Sequence, residues 1–303
     1  MSNQLPWNIA VLGPGGIGGL LAALFARAGH RVVCLAGEET AAALRSGGIS
    51  VRSGQFGDFT ASVDADTRLR TPVDLCVVAV KATALPQALD RVPAEVLGEG
   101  LLLPLLNGVE HMAVLRSRYS PGQVVAGTIK VESTRTAPGV IEQGSPFAEV
   151  ELASDTAPAA RVAALAEVIA KAGPGVAVGD ERTALWTKMA FLAPMALATT
   201  RYRAPVGVVR TEHRADLLAL LAEAAAVAAA AGAAVDADRV RAVYDSFPET
   251  TKSSMLRDAE AGRPLELDAI GGALLRGAQR GGVEVPTAAR LVSELRALDA
   301  SGE

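Results

Sequence analysis

Two cysteines in 303 residues are too few for a disulfide framework, and their spacing suits no zinc site. Cys34 and Cys76 each sit in a β-branched apolar stretch, VVCL and LCVVAV, where a thiol behaves as a small hydrophobe. Two buried free thiols in a reducing cytoplasm are therefore expected, and no metal site. An excess of basic residues is also missing: 29 Lys plus Arg stand against 33 Asp plus Glu, a net charge of −4. Without a broad positive field the chain has no means of drawing in nucleic acid or an anionic membrane. Long uncharged apolar runs are absent but for residues 217–235, whose single charge is Glu223. Alanine dominates that run and contributes little to bilayer insertion, so a buried helix is expected there rather than a membrane span. Met1 to Asn8 hold no basic stretch followed by an apolar core, and no export signal is read in them.

Aromatic residues are few, yet half of the chain is apolar and a fifth is charged, the balance of a globular protein with a sizeable core. A length of 303 residues suits two domains. Asn8 to Leu12 form a short β run, Ile17 to Ala28 a helical pattern stopped by Gly29, and Arg31 to Leu35 a second β run. That order is a βαβ unit, which takes parallel strands and a right-handed crossover. Further β runs at 75–80, 101–106, 124–128 and 149–152 make a single doubly wound α/β sheet the economical account. After a last short strand at 176–178, flanked by Gly173, Pro174, Gly175 and Gly179, the texture becomes helical at 184–200, 214–231, 237–246, 253–261 and 265–280. The expected division is a dinucleotide-binding Rossmann domain at 1–179 and an all-helical substrate and dimerisation domain at 180–303. A homodimer is allowed for, with the alanine-rich helix packed inside one subunit or between two.

Gly13-Pro14-Gly15-Gly16-Ile17-Gly18 fits G-x-G-x-x-G and stands where its mechanism needs it, at the end of a strand and the start of a helix. The first glycine permits the tight turn, the second admits a pyrophosphate close to the backbone, and the third lets the helix pack against the sheet. Backbone N–H groups and the helix dipole then hold the anion. An acid after the second strand would take the ribose hydroxyl of NAD, and an Arg the 2′-phosphate of NADP. Here the strand runs into Leu35-Ala36-Gly37-Glu38-Glu39, with no base beside Ala36 or Gly37. The two glutamates read equally as the first turn of the next helix, so the cofactor choice stays open on this evidence.

Two later strands end in polar residues at the same sheet edge, Lys81 after VVAV and Asn107-Gly108 after LLLPLL. Alone, the first reads as a solvated charge and the second as a turn; together at the glycine-loop edge they read as ligand contacts. Lys188 lies among apolar neighbours, where an ammonium must either snorkel to solvent or serve a site. Glu266 and Asp268 follow Pro264, a place where acids are commonly dipole-stabilised surface groups. Ser253 and Ser254 read as helix N-caps.

In order and spacing, GPGGIG, VAVKA, LLNGVE, LWTKM, SSMLRD and LELDAIGGALLRGAQRGGVEVP resemble the blocks of the ketopantoate reductase (2-dehydropantoate 2-reductase) family over essentially the whole chain. The resemblance implies a cytoplasmic, NADP(H)-dependent reductase of a small 2-oxo acid, in pantothenate biosynthesis, with NAD(H) as the alternative donor. It implies that Lys188 is the catalytic lysine and that Glu266 positions it. It also implies that Asn107 and Ser254 bind substrate, and that Lys81, Asn107 and Glu266 join Gly13, Pro14, Gly15, Gly16, Ile17 and Gly18 on the cofactor side. Three departures stand out. Leu192 and Ala196 replace the family's asparagines one and two turns past the lysine, which would widen and dry the pocket. Pro194 is expected to interrupt and kink that helix. Gly37 stands where a 2′-phosphate arginine is expected. These departures leave room for another carbonyl or imine as substrate, or for a silent nicotinamide-binding sensor.

Overall fold

The structure, a computed structural model, describes residues 5–301. The outermost residues of the two expected domains, 1–4 and 302–303, lie outside that range, as does half of the stretch read for an export signal. The chain packs as two compact units, one holding the residues up to Leu106 and His111–Glu181, the other Asn107–Glu110 and the residues from Arg182 onward.

The first unit opens with β1 (Asn8–Leu12), α1 (Gly16–Arg27), β2 (Arg31–Leu35), α2 (Glu38–Gly47), β3 (Ile49–Ser53), β4 (Phe59–Ala61), β5 (Asp64–Asp66) and β6 (Leu75–Val78). It continues with α3 (Leu85–Ala88), α4 (Ala94–Leu97), β7 (Leu101–Pro104), α5 (His111–Arg118), β8 (Ala126–Lys130), β9 (Ser133–Ala137), β10 (Val140–Gln143), β11 (Glu149–Ala153), α6 (Ala159–Ala172) and β12 (Gly175–Gly179). Five strands form a parallel sheet in the order β5-β2-β1-β6-β7, with Ile9 level with Val32 on one side and Leu75 on the other. This is the Rossmann arrangement: the winding reverses beside β1, so the carboxyl ends of β1 and β6 flank the point where such sheets take ligands. Ile9, Ala10 and Val11 are completely buried, as expected of a strand covered on both faces. Leu20, Leu24 and Phe25 of α1 are completely buried as well, each contributing about 1.5–3 kcal/mol relative to an exposed side chain.

The single sheet expected from the sequence is corrected to three. The runs near 124–128, 149–152 and 176–178 lie in a separate three-stranded sheet, β12-β11-β8, and a four-stranded sheet, β4-β3-β10-β9, was not anticipated at all. Its strands are short and largely polar, and β3 pairs with β10 about ninety residues later in the chain, so local patterning carries no sign of it. It packs on α1 at Gly16, where a Cβ would stand 2.1 Å from the Ser133 carbonyl oxygen, and at Gly19, where a Cβ would stand 2.6 Å from Ile141.

The second unit is all-helical among its described residues: α7 (Glu181–Tyr202), α8 (Val206–Glu212), α9 (Arg214–Ala230), α10 (Ala237–Ser246), α11 (Ser254–Glu260), α12 (Ala273–Gly281) and α13 (Pro286–Ser301). The helix expected over 265–280 begins instead as a π-helical turn, Asp268–Gly272, that runs into α12. Pro194 does not interrupt α7, which passes through it unbroken. Proline costs that helix one N–H donor, but Ala193, Leu197 and Ala198 beside it are fully buried, and their packing outweighs the lost bond. Helix α9 buries Leu217, Leu220, Leu221, Ala224, Val227 and Ala228, one apolar stripe at helical spacing. No helix among the described residues is long and apolar enough to cross a membrane.

Candidate active site

The residues picked out by the sequence fall into two groups, one in each unit. In the first, Gly13 takes φ +86°, which a side chain would resist, and its N–H donates to the Leu35 carbonyl at 3.1 Å, fastening the loop to the end of β2. A Cβ at Gly18 would stand 2.2 Å from the Gly13 carbonyl oxygen and 3.1 Å from Ala79, so this glycine allows α1 to close on the sheet. A Cβ at Gly15 would meet nothing within 4 Å. Protein packing therefore explains Gly16 and Gly18 but not Gly15, whose bare backbone faces open space. Gly15 is the N-cap of α1, and no side chain caps that end or puts an acid in its first turn. Pro14 is buried and Ile17 partly buried. A tight turn, an open backbone and an uncapped positive helix end fit the pyrophosphate of a dinucleotide.

Lys81 is exposed and caps a 3₁₀ turn, Ala82–Ala84, just past β6. The two residues before it line the glycine loop: the Ala79 N–H donates to the Leu12 carbonyl at 2.9 Å, and Val80 lies 2.6 Å from where a Gly13 Cβ would be.

In the second unit, Asn107 donates from Nδ2 to Glu266 Oε2 at 2.9 Å, although the two are 159 residues apart. Glu266 is only 6% exposed, so it is no surface group at a helix start; Asp268, which is exposed in the first turn of the π-helical segment, is one. Lys188 on α7 is partly accessible, and its ammonium is pushed down to about 8 by desolvation, against the opposing pull of the Glu266 charge. Asn107, Lys188 and Glu266 thus form one electrostatic cluster. Ser254 is exposed at the start of α11, and no hydrogen bond joins it to that cluster. Its neighbour Ser253 is structural. Ser253 Oγ accepts from the Leu256 N–H at 3.0 Å and lies 2.6 Å from Thr199 Oγ1, which itself donates to the Met195 carbonyl. Leu192 is partly accessible, whereas Ala196 is 1% exposed, so the expectation that Ala196 widens a pocket is set aside.

Of the residues around Asn107, sequence reading singled out Gly108 and Asp268 but missed Glu110 and Arg276. Gly108, at φ +86°, has its Cα so close to the π turn that a Cβ would stand 2.4 Å from the Ala269 carbonyl oxygen. Two residues on, Glu110 accepts from Arg276 Nε, at 3.0 Å and 3.1 Å to its two carboxylate oxygens, and from Nη2 at 2.7 Å, and the same guanidinium reaches Asp268 Oδ1 at 2.9 Å. No local signal could have paired residues 166 apart. Arg276→Met is expected to lower stability by about 1 kcal/mol in denaturant titration, and less in high salt, since these side chains are a third or more exposed and water screens the pairs. An unchanged midpoint would mean that the Arg276 pairs contribute nothing to holding the segment.

The profile for ketopantoate reductase PanE/ApbA matches residues 9–154, and that for the C-terminal part of the same family matches 180–299. A 2-dehydropantoate 2-reductase of Mycobacterium tuberculosis is 31% identical over 96% of this chain and 97% of its own length. An oxidoreductase of Bacillus subtilis, described as uncharacterized, is 27% identical over 96% and 98%. Among solved structures, a PanE/ApbA family ketopantoate reductase from Ralstonia eutropha superposes with a TM-score of 0.87 at 27% identity, covering 97% of this chain and 99% of that one. A D-mandelate dehydrogenase bound to NADH and anilino(oxo)acetate shares the fold, with a TM-score of 0.88 at 21% identity over 97% and 99%.

Proposed function

This chain belongs to the ketopantoate reductase family, and from that premise we propose that it reduces the ketone of a small 2-oxo acid with a nicotinamide dinucleotide as donor. The family resemblance carries NADP(H) as the expected donor, with NAD(H) as the alternative. The observation that supports the reading best is the Lys188 ammonium, desolvated and under the charge of Glu266, which itself holds Asn107. Oxidoreductase chemistry of this kind needs a proton donor whose acidity lies near the working pH, and a lysine brought to about 8 meets that need far better than one at 10.5.

When bound, the nicotinamide supplies a hydride to the carbonyl carbon. The first turn of α1 holds the pyrophosphate in the space left open over Gly15, and Lys81 is proposed to add a cation at the same sheet edge. In the helical unit, Lys188 hydrogen-bonds the ketone oxygen, stabilises the negative charge growing there, and gives up its proton. Glu266 opposes premature loss of that proton and fixes the Asn107 amide, which orients the substrate. Ser254, exposed at the start of α11, is proposed to donate to the substrate carboxylate. Leu192, one turn from Lys188 and partly accessible, favours an apolar substrate side chain over a hydroxylated one such as that of ketopantoate.

The test is turnover of a panel of 2-oxo acids with both dinucleotides, followed by cofactor oxidation and product mass. At least one branched or apolar oxo acid is expected to be reduced to its 2-hydroxy acid by the wild type. Background rates across the panel, equal to those of Lys188→Ala, would overturn the reading.

A further inference from the structure

The turn between β2 and α2 carries a choice that the glycine loop alone does not make. Glu38 stands 20 residues after Gly18, the spacing at which a Rossmann acid takes a ribose hydroxyl. Gly37 is the N-cap of α2, and a Cβ there would meet nothing within 4 Å, so the turn leaves open space in front of its backbone. The Gly13 N–H bond to Leu35 puts this turn and the pyrophosphate loop at one edge of the sheet. The Glu38 side chain is 72% exposed.

A second carboxylate shares the corner. Asp66 ends β5 level with Leu35, and its backbone carbonyl accepts the Ala36 N–H at 3.0 Å. Its carboxylate takes the Thr67 N–H at 2.6 Å and Arg70 Nε at 3.3 Å. Three guanidiniums nearby, those of Arg45, Arg70 and Arg91, are already committed, whereas that of Arg68 is exposed. Arg45 donates from Nη2 to Glu38 at 2.8 Å and from Nη1 to the Ala65 carbonyl at 3.1 Å. Arg91 spends Nη1 on the carbonyls of Ala36, at 2.9 Å, and Thr67, at 2.6 Å.

We infer that Glu38, seconded by Asp66, makes this chain select NADH over NADPH, against the donor that its family resemblance implies. A ribose 2′-hydroxyl can donate to the Glu38 carboxylate. A 2′-phosphate, with nearly two negative charges, would meet two carboxylates instead and would have to pull Arg45 off both of its partners. The inference rests on the reading of the first unit as a nicotinamide dinucleotide site.

The experiment is direct titration of the full chain with NADH and with NADPH, by calorimetry at low ionic strength, so that turnover plays no part. NADH is expected to bind at least about tenfold more tightly, and the gap should narrow as salt screens the repulsion. Glu38→Gln should shrink the gap to within about threefold by improving NADPH, since the amide removes the charge and keeps the shape. Equal or tighter NADPH binding by the wild type overturns the inference and leaves the proposed reduction standing, as does a gap that Glu38→Gln does not change. Failure of both dinucleotides to bind removes the inference and the proposed function together.

Discussion

Replacing Lys188 with alanine is expected to lower kcat/KM for oxo-acid reduction by roughly a hundred- to ten-thousand-fold, the range of a lost general acid, with dinucleotide affinity little changed. The ammonium is proposed to act on the ketone oxygen, where charge develops, so its removal should fall on the chemical step more than on ground-state binding. Stability should not suffer. Holding a desolvated lysine costs the folded state free energy, as its pKa, lowered to about 8, records, and alanine relieves that cost. Loss of activity with a preserved or raised melting temperature therefore separates a chemical role from a structural one. A Lys188→Ala variant within about threefold of the wild type would remove Lys188 from the mechanism.

The glycine loop offers the second large effect, because two of its glycines are needed for different reasons. Gly18→Ala places a methyl 2.2 Å from a backbone oxygen that cannot move without opening the turn. It should cost about 1–3 kcal/mol of stability, as overpacked sites do, and weaken dinucleotide binding along with it. Gly15→Ala has space for its methyl within the protein and a backbone conformation, φ −80° and ψ −154°, that alanine tolerates. Its melting temperature should match the wild type, yet dinucleotide affinity should fall about a hundredfold, because the methyl occupies the ground where the pyrophosphate approaches. Isothermal titration beside thermal denaturation reads both. Should Gly15→Ala bind as tightly as the wild type, the open backbone is not the ligand's seat.

The reach of sequence reading in this protein follows the length over which each signal acts. β1, α1 and β2 were legible because one βαβ unit contains its own punctuation, from the strand residues at Asn8 to the stop at Gly29. Helix α9 was legible because a buried stripe repeats at helical spacing. The sheet built on β3 and β10 was not, since VIEQ and ISVRS are too short and too polar to announce a buried partner. The same limit governs the site. Glycine loop and lysine could be picked out from their own neighbourhoods. The Asn107 bond to Glu266 and the Arg276 grip on Glu110 are tertiary facts between residues more than 150 positions apart. Pro194 taught the converse lesson: a strong local breaker yields where its neighbours are fully buried.

The pH dependence of kcat/KM for oxo-acid reduction, compared between the wild type and Lys188→Ala, tests the central claim most directly. A proton donor must be charged to act, so the rate should be level below about 8 and fall as pH rises through it. In the reverse direction the free amine is the active form, and 2-hydroxy acid oxidation should rise through the same pH. Both limbs should vanish in Lys188→Ala. A rate that stays level toward 10.5, the ordinary lysine value, or a descending limb that survives in the alanine variant, would contradict Lys188 as the acid.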